Sequence, residues 1–246
     1  MTPVDSTTAL LCFTLAQMSR GAFITFEGSE GCGKSTQVLR LAARLEQAGV
    51  CTLITREPGG TAIGEKIRDL LQFAPESFAM TPETELLLFE ASRSQLVREI
   101  IRPAREQGSI VISDRFHDST TVYQGVARKL ESDIVARLND FAVGSDRPDL
   151  TILLDIDVAT ARARMLRRVR PVGVVDRMEQ EPIEFYERVC EAYRDLAQRE
   201  PDRIVLIDGS RTPDEIETQI WATVTDRLSG FAFMKQSKIE NRQSKM

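Results

Sequence analysis

Apolar positions along the chain alternate between short continuous runs and helical spacings. Residues 22–27 form an apolar, aromatic-rich run that predicts a buried strand. Val38, Leu41, Ala42 and Leu45 then recur at helical spacing, and Gly49 stops that helix. Residues 50–55 make the next strand, and Ile63, Ile67, Leu70 and Leu71 mark a short helix. A longer helix follows Pro82, with Leu86, Phe89, Arg93, Leu96 and Ile100 along it. Residues 109–113 are a third strand ending in Asp114-Arg115, and Ile134, Leu138 and Phe141 mark another helix. A fourth strand at 150–155 leads into an arginine-dense helix at 159–168. A helix at 182–198, a fifth strand at 203–207 and a last helix at 213–228 complete the pattern. Strands that alternate with helices predict an α/β fold: a five-stranded parallel sheet covered by helices on both faces, three layers in all.

No internal repeat or linker divides residues 20–229, which read as one domain. Residues 1–19 read as an N-terminal extension and 230–246 as a polar C-terminal tail of unstructured composition. Met18-Ser19-Arg20 precedes the first strand directly, so translation is expected to begin at Met18. The apolar stretch 9–16 follows Asp5 and no basic residue, the wrong flank for a secretion signal. No run is long enough to span a membrane. The net charge of −5 argues against broad nucleic-acid binding. Cys12, Cys32, Cys51 and Cys190 are scattered, and His117 is the one histidine, which disfavours a zinc site and fits a reducing cytoplasm.

The strongest chemical signal is Gly28-Ser29-Glu30-Gly31-Cys32-Gly33-Lys34-Ser35, a complete G-x-x-x-x-G-K-S phosphate loop with a strand before it and an amphipathic helix after it. Glycines let backbone amides curl around phosphate oxygens, and the helix beginning near Lys34 adds its positive end. Lys34 is placed to reach the β- and γ-phosphates, and Ser35 to hold Mg²⁺. The motif alone specifies ATP or GTP.

Three further segments narrow the chemistry. Thr55-Arg56-Glu57-Pro58-Gly59-Gly60 follows the second strand, where ligands of such sheets bind, and an arginine there can grip a second phosphate. Asp114 and Arg115 close the third strand; the carboxylate can orient Mg²⁺ and the guanidinium can neutralise a moving phosphoryl group. Arg162, Arg164, Arg167, Arg168 and Arg170 crowd into nine residues and predict a basic lid near 159–178.

These segments resemble the bacterial thymidylate kinase family from about Arg20 to Leu228. The resemblance rests on Phe26-Glu27-Gly28 with the loop through Thr36, on Arg-Glu-Pro-Gly-Gly at 56–60, and on Phe89 with Arg93. It rests also on Asp114-Arg115 with Tyr123-Gln124-Gly125, on 147–151 leading into Leu154-Asp155, and on Asp176-Arg177-Met178-Glu179. It implies a P-loop NTPase fold, transfer from ATP to dTMP with Mg²⁺, and a homodimer. It implies that residues 28–36 bind ATP, that Phe89 stacks on thymine, and that Arg93 bonds the base edge. Arg56 and Arg115 would bind the dTMP phosphate, and Ser119, Tyr123 and Gln124 would line the nucleoside. Glu30 would sit near the sugar hydroxyl and the metal.

The Glu57–Pro58 bond is expected to be cis, by the same resemblance. Gly31 stands where some members carry a loop arginine, so Arg167, Arg168 or Arg170 is expected to supply that charge from the lid, with Arg170 favoured. A kinase for another nucleoside or monophosphate is the nearest alternative. A GTP switch would carry an Asn-Lys-x-Asp segment, and none is present.

Overall fold

The first apolar run, β1 (Phe23–Glu27), is buried along its whole length because it becomes the middle strand of the sheet. The computed structural model describes residues 20–167 and 177–229. The other strands are β2 (Thr52–Arg56), β3 (Ile110–Asp114), β4 (Leu150–Asp155) and β5 (Ile204–Asp208). They form a five-stranded sheet in the order β2-β3-β1-β4-β5, every pairing parallel. The helices are α1 (Lys34–Gln47), α2 (Ala62–Gln72), α3 (Pro82–Leu96), α4 (Arg102–Glu106), α5 (His117–Thr120), α6 (Ser132–Val143), α7 (Val158–Leu166), α8 (Ile183–Arg199) and α9 (Pro213–Arg227).

The alternation along β1 sorts the layers. Ile24 and Phe26 pack with Leu41 and Leu45 of α1 and Ile220 and Val224 of α9. Phe23 faces the opposite layer, with Leu96, Val97, Ile101 and Phe116. A third cluster, built on Phe185, Val189 and Tyr193 of α8, covers the β4 side of that layer. Helix starts follow local chemistry: Thr81 accepts from Thr84 N ahead of Pro82, and Thr212 forms a reciprocal capping box with Glu215.

Two expectations need correction. The long helix after Pro82 is not uniform: α3 passes through a π-helical turn (Val97–Ile101) before α4. Pro103 explains the change of register, because its ring has no N–H and crowds the carbonyl four residues back. Helix α6 exists, but the residues that mark it are not its buried face. Ile134 and Phe141 are 48% and 75% exposed, while Val135, Asn139, Ala142 and Val143 are buried. The inner stripe includes an asparagine, which conceals it from a hydrophobic count.

Candidate active site

A cavity of about 200 Å³ lies beside the carboxyl ends of β1, β2 and β3. The phosphate loop contributes Glu30, Gly31, Lys34 and Ser35 to its wall, the end of β3 contributes Asp114, and Arg115 follows it. Arg56 enters from the last position of β2 and Pro58 just after it, Phe89 from α3, and Ser119, Tyr123 and Gln124 from α5 and the π-helical turn behind it (Thr121–Ala127).

The loop holds its own cation. Lys34 Nζ donates to the carbonyls of Gly28 at 3.1 Å and Ser29 at 2.8 Å, and the side chain is almost fully buried. Ser35 Oγ donates to Asp114 Oδ2 at 2.5 Å. Gly31 has φ 77°, and a Cβ there would stand 2.6 Å from the Ala161 carbonyl. Helix α7 therefore packs on the loop where a side chain would emerge, and Lys34 is the one cation within residues 28–36.

Arg115 takes φ 73°, a conformation uncommon for a residue with a side chain, and its amide donates to Phe26 O. Its guanidinium donates to Glu30 Oε1 at 2.7 Å, Gly28 O at 3.0 Å and Ser119 Oγ at 3.1 Å. Tyr123 OH completes the bracket by donating to Glu30 Oε2 at 2.8 Å. Burial opposes the charge on Arg115, but Tyr123, Glu30 and Glu27 around it hold its pKa well above the usual value. Arg56 is more exposed and pairs with Glu65 at 2.9 Å. The Glu57–Pro58 peptide behind it is cis, as expected.

Phe89 and Arg93 part company. Phe89 lines the cavity; Arg93 is buried behind it. Its five N–H groups all meet protein acceptors: Glu57 Oε2 through Nε and Nη2, Glu90 and Asn139 through Nη1, and the Phe116 carbonyl through Nη2. Gly28, Ser29, Cys32, Gly33 and Thr36 shape the loop without lining the cavity. Arg167 is exposed just after α7, and Arg168 and Arg170 lie outside the described residues.

Several residues escape sequence reasoning. Glu27 is fully buried and accepts from Phe116 N at 2.7 Å, Ser119 Oγ at 2.6 Å and Tyr193 OH at 2.8 Å. Burial pushes its carboxyl up to about 7, and Asp118 adds to the rise. Burial likewise raises Glu57 to about 7, against the pull of Arg93. Arg68, Gln72, Thr120 and Met178 also line the cavity. Gln72 Oε1, Thr120 Oγ1 and Glu57 Oε1 are buried without a hydrogen-bond partner in the protein, so the wall is built for a polar ligand. Glu57, inside the Arg-Glu-Pro-Gly-Gly run, Glu27, beside the loop, and Met178, inside the run 176–179, had a signal in the sequence that could have raised them.

Comparison with known proteins agrees with this geometry. The thymidylate kinase family profile matches residues 26–220. The thymidylate kinase of Geobacter sulfurreducens is 48% identical over 210 residues, covering 85% of this chain and 98% of that protein. That of Deinococcus radiodurans is 44% identical over 210 residues, covering 85% and 99%. Among solved structures, the crystal structure of thymidylate kinase from Ehrlichia chaffeensis matches with TM-score 0.67 and 32% identity, over 83% of this chain and 98% of that one. Among the described residues, no helix is long and apolar enough to cross a membrane.

Proposed function

The chain belongs to the thymidylate kinase family and phosphorylates dTMP to dTDP; from that premise we propose how its residues divide the work. The observation that carries the assignment is one cavity lined both by Glu30, Gly31, Lys34 and Ser35 of the phosphate loop and by the aromatic ring of Phe89, with Arg56 and Arg115 on the same wall.

In this reading ATP is the donor and lies along Gly28, Ser29, Glu30, Gly31, Cys32, Gly33, Lys34, Ser35 and Thr36. Lys34 exchanges its two carbonyl partners for β- and γ-phosphate oxygens. Phe89 stacks on thymine, and Arg93 reaches the base edge by giving up one of its internal bonds. Arg56 and Arg115 grip the 5′-phosphate, whose oxygen attacks the γ-phosphorus in line while ADP leaves. Glu30 holds Arg115 and Tyr123 in place. Ser119, Tyr123 and Gln124 line the nucleoside. Transfer of this kind needs position and charge more than a strong base.

Ser35 and Asp114 fit Mg²⁺, since a hydroxyl and a carboxylate meeting at 2.5 Å are hard oxygen donors. Among the described residues no cluster of three or more His, Cys, Asp or Glu could cage a metal. Phosphate oxygens and water would complete the shell. When bound, the ion screens charge on the β- and γ-phosphates. Arg167, Arg168 or Arg170 adds a further cation from the segment after α7, Arg170 being favoured; the absence of a side chain at Gly31 supports this.

Exposed Leu87 on α3 and Ile134 and Phe141 on α6, two helices that pack together, support a homodimer. Scattered cysteines and the lack of a membrane-length helix among the described residues support a cytoplasmic enzyme. A coupled assay of ADP release, run with a panel of monophosphates and thymidine, tests the reading. Fast turnover is expected with dTMP; equal or faster turnover with another acceptor rejects it.

A further inference from the structure

One carboxylate ties together parts of the cavity wall that the phosphate loop does not touch. Glu85, in the first turn of α3, is 1% exposed. It accepts from Gln124 Nε2 at 2.6 Å, from Arg128 Nε and Nη2 at 3.2 Å each, and from Arg177 Nη2. Arg177 also donates through Nε to the Leu71 carbonyl in the last turn of α2. Arg128 pairs with Glu181 at 2.6 Å and lies over the Phe185 ring of α8. Burial opposes ionisation of Glu85, but Arg128 and Arg177 outweigh it and keep the pKa below the usual carboxyl value.

That ionised state fixes an orientation. An ionised carboxylate only accepts, so the group that Gln124 turns toward Glu85 must be its NH₂. The Gln124 carbonyl is therefore the end left for the cavity, which Gln124 lines. We propose that Glu85 is a positioning residue for the nucleotide. It locks Gln124 with its carbonyl oxygen toward the cavity, as an acceptor for an N–H or O–H of the bound nucleoside. Through Arg177 it also holds the turn Arg177–Gln180, and with it Met178, against the same wall. The inference rests on the cavity taking dTMP, and wild-type turnover tests that separately.

The experiment measures kcat, KM for each substrate and Tm for Glu85→Gln, Gln124→Met and the double variant. Weakening this buried, charge-assisted hydrogen bond (Glu85→Gln) or removing it (Gln124→Met) is expected to raise KM for dTMP about tenfold. KM for ATP should stay within about twofold, and the double variant should be no worse than the worse single one. Glu85→Gln leaves the buried Arg177 and the half-buried Arg128 without the Glu85 charge, so Glu85→Asp provides a second variant. It keeps the charge but shortens the reach to Gln124, and should fold with the same rise in KM for dTMP. The proposal is overturned if Glu85→Asp leaves KM for dTMP unchanged, if KM for ATP rises in parallel, or if the effects of position 85 and Gln124→Met multiply.

Discussion

The two sides of the cavity are built on opposite plans. The phosphate loop is one contiguous segment, residues 28–35, in which glycines and backbone amides do most of the shaping and Lys34 rests on two carbonyls of the same loop. The side proposed for the nucleoside is assembled from α2, α3, α5, the π-helical turn behind it and the turn Arg177–Gln180, and its polar groups meet in mutual pairs such as Arg93 with Glu57 and Glu85 with Arg128. A loop of the first kind tolerates change around it but not within it. A wall of the second kind spreads its function over groups that also hold the fold, so single substitutions there blend lost affinity with lost stability.

Lys34→Ala gives the sharpest form of the contrast. Loss of one preorganised charge lowers kcat by about 10²–10³, while Tm stays close to wild type because the side chain is bonded only within its own loop. Steady-state kinetics with thermal melts checks both halves; a collapse of Tm would erase the distinction drawn here. Phe89→Ala comes next. A stacked base is worth about 1–3 kcal/mol by alanine substitution, so dTMP affinity should fall by roughly 5- to 150-fold with ATP affinity unchanged. Titration calorimetry with each nucleotide separates the two, and an equal loss for ATP would place the ring on the other side.

The smallest effect concerns Glu27. Its carboxyl is raised by burial to about 7 from 4.5, so between these values the folded state holds a proton that the unfolded chain has lost. Its contribution to stability therefore declines as pH rises from about 4.5 to 7. Glu27→Gln keeps a neutral side chain throughout and should flatten the fall of Tm across that window. Melts at half-unit pH steps measure it, and a slope identical to wild type counts against the proton on Glu27.

The same division explains what the sequence reveals. The strand and helix alternation and the phosphate loop are local patterns, and they survive into the structure with ends moved by a residue or two. The apolar marks of α6 mislead because Ile134 and Phe141 face outward while Asn139 is buried against Arg93. Phe89 and Arg93, four apart, suggest a joint contact with one ligand, yet helical spacing gives no hint that Glu57 and Asn139 from elsewhere, with Glu90 one turn back on the same helix, already surround the guanidinium. Gln72 and Glu85 belong to the cavity wall or its support through tertiary packing alone, with no spacing in the chain to expose them.

The central place of β1 also sets a timetable for synthesis. Its neighbours in the sheet, β3 and β4, are both encoded far downstream, so the first of the described strands to be made is among the last to be enclosed. At about 5–20 residues per second, an apolar Phe-Ile-Thr-Phe segment waits on the order of ten seconds with both of its edges open. For that interval the nascent chain depends on chaperones or on its own transient collapse to keep the segment from pairing with other chains.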